Sequence, residues 1–233
     1  MDHKGDRLEK NLKSTLSFMP EQLGLFGESE DQKPIKTTKL KTDKRIQYFD
    51  LETQKSADDV GGWNNIHKMG LAVGVVWDSV DQDYFVYEEK DAKNLIEKLR
   101  TADLVVGFNV IGFDYEVLQP YCKKYNLDFD LEKDIKGTCD MLVDVKKLLN
   151  FRLSLNHLAE HTLNAKKSAD GLISLQWYKE GKIDKIIHYC KQDVKITRDL
   201  FLHVEEHGYI KFKSRSGKLV QRELVWKKPD KVS

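Results

Sequence analysis

Three apolar, strand-like runs precede the first clear helical spacing, and that order restricts the fold more than any other feature of the chain. The runs are RIQYFDLET from Arg45, LAVGVVW from Leu71 and YFVYEE from Tyr84. A polar turn at Asp78–Asp83 separates the last two, which predicts an antiparallel hairpin. Asp91 is placed to cap a helix, AKNLIEKLR, in which Leu95 and Leu99 share a face. LVVGFNV then reads as a buried strand, and DYEVLQPYCKKY returns to helical spacing. A short strand is expected near Gly137–Met141 and helices from Val143 to His207. Antiparallel strands followed by strand–helix alternation predict an α/β or mixed α+β domain.

That domain is expected over residues 45–208. Ahead of it, Leu8, Leu12 and Leu16 predict a short amphipathic helix ending near Pro20, and KPIKTTKLKTDK a basic linker, so 1–44 reads as an extension. Behind it, 209–233 reads as a basic hairpin turning at Ser216–Gly217 and packed on the domain. Hydrophobic residues at 40% and charged residues at 33% suit a soluble globular chain. No apolar run approaches the roughly 20 residues of a membrane helix, and MDHKGDRLEKNLKS lacks the pattern of a secretory signal. Cys122, Cys139 and Cys190 are scattered in no metal-like spacing, which sets aside a disulfide framework or zinc ribbon and leaves a reducing cytoplasm as the expected compartment. The net charge of +1 conceals basic segments at 33–45 and 209–233 around an acidic middle. Acids for cations and basic arms for phosphates would serve a nuclease, although a solvated surface with basic tails explains the same charges.

Asp50 and Glu52 stand two apart on the first strand, so both carboxylates project from one face. Side by side among hydrophobic neighbours they repel one another, and a divalent cation would relieve the strain. A strand end entering solvent carries acids too. Asp114 sits where a strand gives way to a helix, and N-capping explains it as well as metal ligation does. Tyr189 and Asp193, four apart on a helical pattern, share a face.

Taken together, D-x-E in YFDLET, N-x-x-x-F-D in GFNVIGFDYEVL and Y-x-x-x-D in YCKQDV resemble the DnaQ-like (DEDD) 3′–5′ exonuclease superfamily. The tyrosine branch, DEDDy, includes polymerase proofreading domains and RNase D-type enzymes, and with VGGW at Val60–Trp63 the pattern is most similar to the YprB-like group. The resemblance covers Arg45–His207. It implies a ribonuclease-H-like fold, a mixed five-stranded sheet flanked by helices. It further implies that Asp50, Glu52, Asp114 and Asp193 hold two Mg²⁺ or Mn²⁺ ions, roughly 4 Å apart in such centres. Tyr189 would orient the attacking water; a phenol titrating near pH 10 suits orientation better than ionised-base chemistry. His188 precedes that position by one residue and would face about 100° away. The implied substrate is the 3′ end of a single strand, DNA ahead of RNA.

Further candidates are less specific. Asn109 could contact the terminal nucleotide or merely turn the strand end. Asp140 is a fifth acid near a strand end. Phe108 and Phe113 could stack a base or fill the core. Lys166 and Lys167 could meet phosphates or simply be solvated. His157-Leu158-Ala159-Glu160-His161 matches a zinc-peptidase string but falls where the resemblance expects an ordinary helix. Two other functions remain in play: a nucleic-acid-binding module without turnover, against which the four intact acids argue, and an endonuclease on the same fold. Residues 1–44 could dock a partner such as a helicase or polymerase.

Overall fold

The computed structural model describes residues 44–165 and 172–228. The expected helix and linker within 1–43, and Lys166 and Lys167, lie outside the described residues. Strands β1 (Ile46–Thr53), β2 (Leu71–Asp78), β3 (Asp83–Glu88), β4 (Leu104–Gly107) and β5 (Thr138–Asp140) form one sheet in the order β3-β2-β1-β4-β5. The first three pair antiparallel, while β1–β4 and β4–β5 are parallel. Parallel neighbours need long crossovers. Helix α1 (Ala92–Arg100) lies on the route to β4, and α2 (Tyr115–Lys124) with the short α3 (Leu131–Asp134) on the route to β5. Helices α4 (Met141–Leu149), α5 (Leu155–Leu163), α6 (Leu172–Lys179) and α7 (Ile183–His207) follow, then the hairpin β6 (Tyr209–Lys213) and β7 (Leu219–Glu223). This is the mixed five-stranded sheet flanked by helices. Asp91 makes no side-chain cap at α1, whose start is reached through a 3₁₀ turn at Glu89–Asp91.

Strand periodicity sorts the core into two layers. Ile46 and Tyr48 of β1 pack with Val73, Val75, Val106 and the apolar stripe of α7, including Ile186, Cys190 and Val194. Phe49 and Leu51 point the other way, against Leu95, Ile96 and Leu99 of α1 and Val117 and Leu118 of α2. Asp50 and Glu52 share the parity of Ile46 and Tyr48. They therefore leave the sheet on the α7 face.

Candidate metal centre

β1 and β4 pair only from Ile46–Leu104 to Tyr48–Val106, after which β4 turns away. The turn is tight. A Cβ on Gly107 would stand 2.7 Å from Cβ of Val110 and 3.1 Å from the Phe49 carbonyl oxygen, so only glycine fits without displacing backbone. Asn109 follows in the left-handed region at φ 71°, and Val110–Asp114 forms a π-helical turn. Beyond the last β4 partner, the Leu51 N–H donates to Oδ1 of Asp114 at 3.1 Å. Asp114 makes no side-chain cap on α2. Its carboxylate reaches back to the backbone between Asp50 and Glu52 instead.

Asp140, the fifth acid near a strand end, is turned towards the backbone. Its Oδ1 accepts N–H groups from Asn109 (2.9 Å), Leu142 (3.1 Å) and Val143 (3.4 Å), and its Oδ2 accepts Ile111 N–H (3.0 Å). The side chain caps α4 and pins the turn that carries Asp114, so it braces the site from behind. Asn109 is tied into the same turn through its backbone.

The acids converge across α7. Carboxylate oxygens of Asp50, Glu52 and Asp193 lie within 4.8 Å of one another, a group able to hold a metal ion. Asp114 stands outside that compact trio, yet its charge is among the strongest influences on Asp50. The Tyr189 hydroxyl hydrogen-bonds Asp193, its neighbour one helical turn on. Its ring meets Trp177 edge-on, centroids 6.3 Å apart. Two residues without any expected role join them. Ser174 of α6 donates to Glu52 Oε2 at 2.5 Å, and the Cys190 thiol lies 3.5 Å from Asp50 Oδ2. Nothing in the local sequence marks Ser174; Cys190 stands inside the YCKQD string, where the sequence shows only a cysteine in no metal-like spacing.

Electrostatics show what the cluster lacks. Burial, followed by the charges of Asp114, Asp193 and Glu52, holds Asp50 far above the usual carboxylate range. Burial also raises Asp114, against hydrogen bonds from its own and the Leu51 N–H. Burial pushes Glu52 from 4.5 to about 8, the Ser174 hydrogen bond opposing and Asp193 adding to the rise. Repelling acids in a poorly hydrated pocket either keep protons or take up a cation. An all-oxygen donor set of carboxylates fits a hard divalent ion such as Mg²⁺ or Mn²⁺.

A pH dependence follows. The folded state keeps the Glu52 proton up to about 8, whereas the unfolded chain releases it near 4.5. This group's contribution to metal-free stability is complete below pH 4.5 and is lost as pH rises towards 8. A divalent cation displaces that proton, so the rise in Tm on adding Mg²⁺ should be larger at pH 8 than at pH 6. Differential scanning fluorimetry in chelator and in Mg²⁺ checks this, and an equal rise at both values would contradict it.

The aromatic candidates divide between packing and surface. Phe108 is half-buried against the α7 layer. Phe113 is half-buried in the other layer, its ring centroid 6.5 Å from that of Trp63, which is 69% exposed. The histidine string is structural. His157 Nε2 lies 3.1 Å from both backbone N and O of Lys213, and the His157 and His161 rings pack edge-on at 4.7 Å.

Fold and site together define an α/β protein of ribonuclease-H-like architecture with a carboxylate cluster suited to divalent cations. The chain belongs to the RNase_H superfamily, whose family model matches residues 47–204. Among curated proteins, none matches it significantly. Among solved structures it is similar to the family B DNA polymerase of the hyperthermophilic archaeon Pyrobaculum calidifontis, with a TM-score of 0.55, 16% identity and 71% of this chain covered. The chain spans 24% of that polymerase, and at this identity the likeness concerns the fold. No helix among the described residues is long and apolar enough to cross a membrane.

Proposed function

We propose that the protein is a metal-dependent nuclease of the tyrosine DEDD branch, closest to the YprB-like group, that removes nucleotides from the 3′ end of single-stranded nucleic acid, DNA ahead of RNA. One observation carries the reading: three carboxylates from β1 and α7 meet within 4.8 Å, with a tyrosine hydroxyl bonded to one of them. The fold match to a DNA polymerase supports it, since proofreading domains belong to the branch that the motifs resemble.

Asp50, Glu52 and Asp193 would hold the cations, with Asp114 completing the set from behind Leu51. Divalent ions held there would supply charge neutralisation at the scissile phosphate and a more acidic water. Ser174 fixes the Glu52 carboxylate and the Cys190 thiol approaches that of Asp50, so both acids are oriented before substrate arrives. Burial, with Asp193, Glu52 and Asp50 around it, drives the Tyr189 phenol far above its ordinary value of 10. Tyr189 therefore stays protonated at neutral pH and orients water through its hydroxyl rather than abstracting a proton.

The decisive experiment uses end-labelled DNA and RNA strands with Mg²⁺ or Mn²⁺. Single-nucleotide ladders growing from the 3′ end are expected; internal cuts, or no cleavage with any divalent cation, would overturn the reading. Tyr189→Phe should lower the single-turnover rate about a hundredfold while leaving the Mg²⁺-induced rise in Tm unchanged. Loss of both together would make Tyr189 part of the metal cradle instead.

A further inference from the structure

The hairpin β6–β7 carries five Lys/Arg residues against one acid, Glu223, and Lys227 and Lys228 follow it. Lys228 pairs with Glu205. Among the described residues, Lys211, Lys213, Arg215, Lys218 and Arg222 form no ion pair. Strand alternation separates two sets of side chains. Ile210 and Phe212 point into the α7 layer, whereas Lys211 and Lys213 share the outer face with Tyr209. Lys211 Nζ lies 5.1 Å above the Tyr209 ring centre. Arg215 and Lys218 are exposed at the turn, which Ser214 closes by hydrogen bonds to Gly217 and Lys218, each 2.9 Å.

The frame beneath these cations is stiff. The free edge of β6 is matched by α5: Thr162 Oγ1 accepts the Lys211 N–H at 2.9 Å and donates to the Lys211 carbonyl at 3.0 Å, and His157 Nε2 accepts the Lys213 N–H. Like charges held close together on a rigid ribbon are unfavourable by themselves. A polyanion offsets that repulsion and releases its own counterions on binding. At about 1.5 Å per residue, α7 carries the chain roughly 21 Å from Asp193 to the base of the hairpin.

We infer that the outer face of this hairpin, Lys211 and Lys213 with Arg215 and Lys218 at the turn, binds the phosphate backbone of a nucleic-acid strand at a point remote from the acids. That the strand is also the substrate rests on the nuclease reading above. At the rise of about 3.4 Å per nucleotide of a stacked strand, roughly six nucleotides span the two places, and fewer when the strand is extended, so the shortest substrates escape the hairpin.

The test compares the full-length protein with Arg215→Glu/Lys218→Glu and, as a milder version, Lys211→Gln/Lys213→Gln. Lys93→Glu/Lys123→Glu, exposed on α1 and α2, changes net charge as much as the first pair does. Binding of a labelled 30-nucleotide DNA strand is followed by fluorescence anisotropy in chelator between 50 and 200 mM KCl. Each hairpin pair should weaken binding on the order of tenfold at 100 mM and flatten the slope of log K against log salt by about 1.4, as expected for two lost phosphate contacts. The control pair should change affinity less than twofold. Equal losses in control and hairpin variants, or none in either, would overturn the inference. So would a loss confined to phosphatidylserine–phosphatidylcholine vesicles. Should no protein cleave any strand while the binding difference persists, the hairpin surface stands and the nuclease reading falls. Should cleavage proceed without a binding difference, the hairpin inference alone falls.

Discussion

Asp50→Asn is expected to lower strand cleavage by about 10³-fold or more while making the metal-free protein more stable. The first effect follows from removing a central ligand. Metal centres supply several kcal/mol of charge stabilisation in such reactions, and each ~1.4 kcal/mol is tenfold in rate. The second effect follows from the cluster's own repulsion. Asp50 is half-buried beside Asp114, Asp193 and Glu52, so a neutral amide of equal size relieves strain of about 0.5–2 kcal/mol. Saturating cation reverses the order. At a hundred times Kd a ligand stabilises the protein it binds by about 2.7 kcal/mol, which the variant forgoes. Denaturation in chelator and in Mg²⁺, together with the cleavage assay, reads all three. A variant that cleaves at the wild-type rate, or is the weaker protein under both conditions, would remove Asp50 from the centre.

The second large effect concerns the other end of β1 and β2. The Asp78 side chain is fully buried. Its Oδ2 meets Arg45 at 2.6 Å, Gln47 at 2.9 Å and Lys98 at 3.0 Å, and its Oδ1 accepts the Val80 and Asp81 N–H groups. Burial alone would raise this carboxyl, but hydrogen bonds from Lys98, Val80, Gln47 and Asp81 outweigh it and bring it from 3.8 to about 2. Its contribution is therefore present above pH 3.8 and is lost as pH falls through 2. Asp78→Ala leaves buried donors unmatched at the junction of β1, β2 and α1 and should cost about 3–5 kcal/mol at neutral pH. Asp81→Ala, at the exposed end of the same network, should cost under about 1 kcal/mol. Urea denaturation separates the two, and equal losses would refute the ranking.

Local periodicity made much of this legible. Period two placed Asp50 and Glu52 on one face, and the four-residue spacing did the same for Tyr189 and Asp193. The hairpins turned where polar residues predicted. What stayed hidden depends on atoms distant in the chain. Asp114 could be read as a helix cap because its acceptor role towards Leu51 exists only once β4 diverges from β1. Asp140 was legible only as an acid near a strand end; its cap on α4 and its hold on Asn109 and Ile111 needed the parallel β4–β5 pair. Ser174 and the Cys190 thiol acquire meaning only through Glu52 and Asp50. His157 belongs to a suggestive string whose true companion, Lys213, lies 56 residues on.

The same separations set a schedule for the emerging chain. Ser174 reaches Glu52 across 122 residues, and Cys190 reaches Asp50 across 140. During synthesis, β1 and β2 can pair early, but the pocket stays unassembled until α7 has left the ribosome and docked. A half-made copy therefore lacks the assembled carboxylate cluster, and fragments truncated before Tyr189 would be unable to form it.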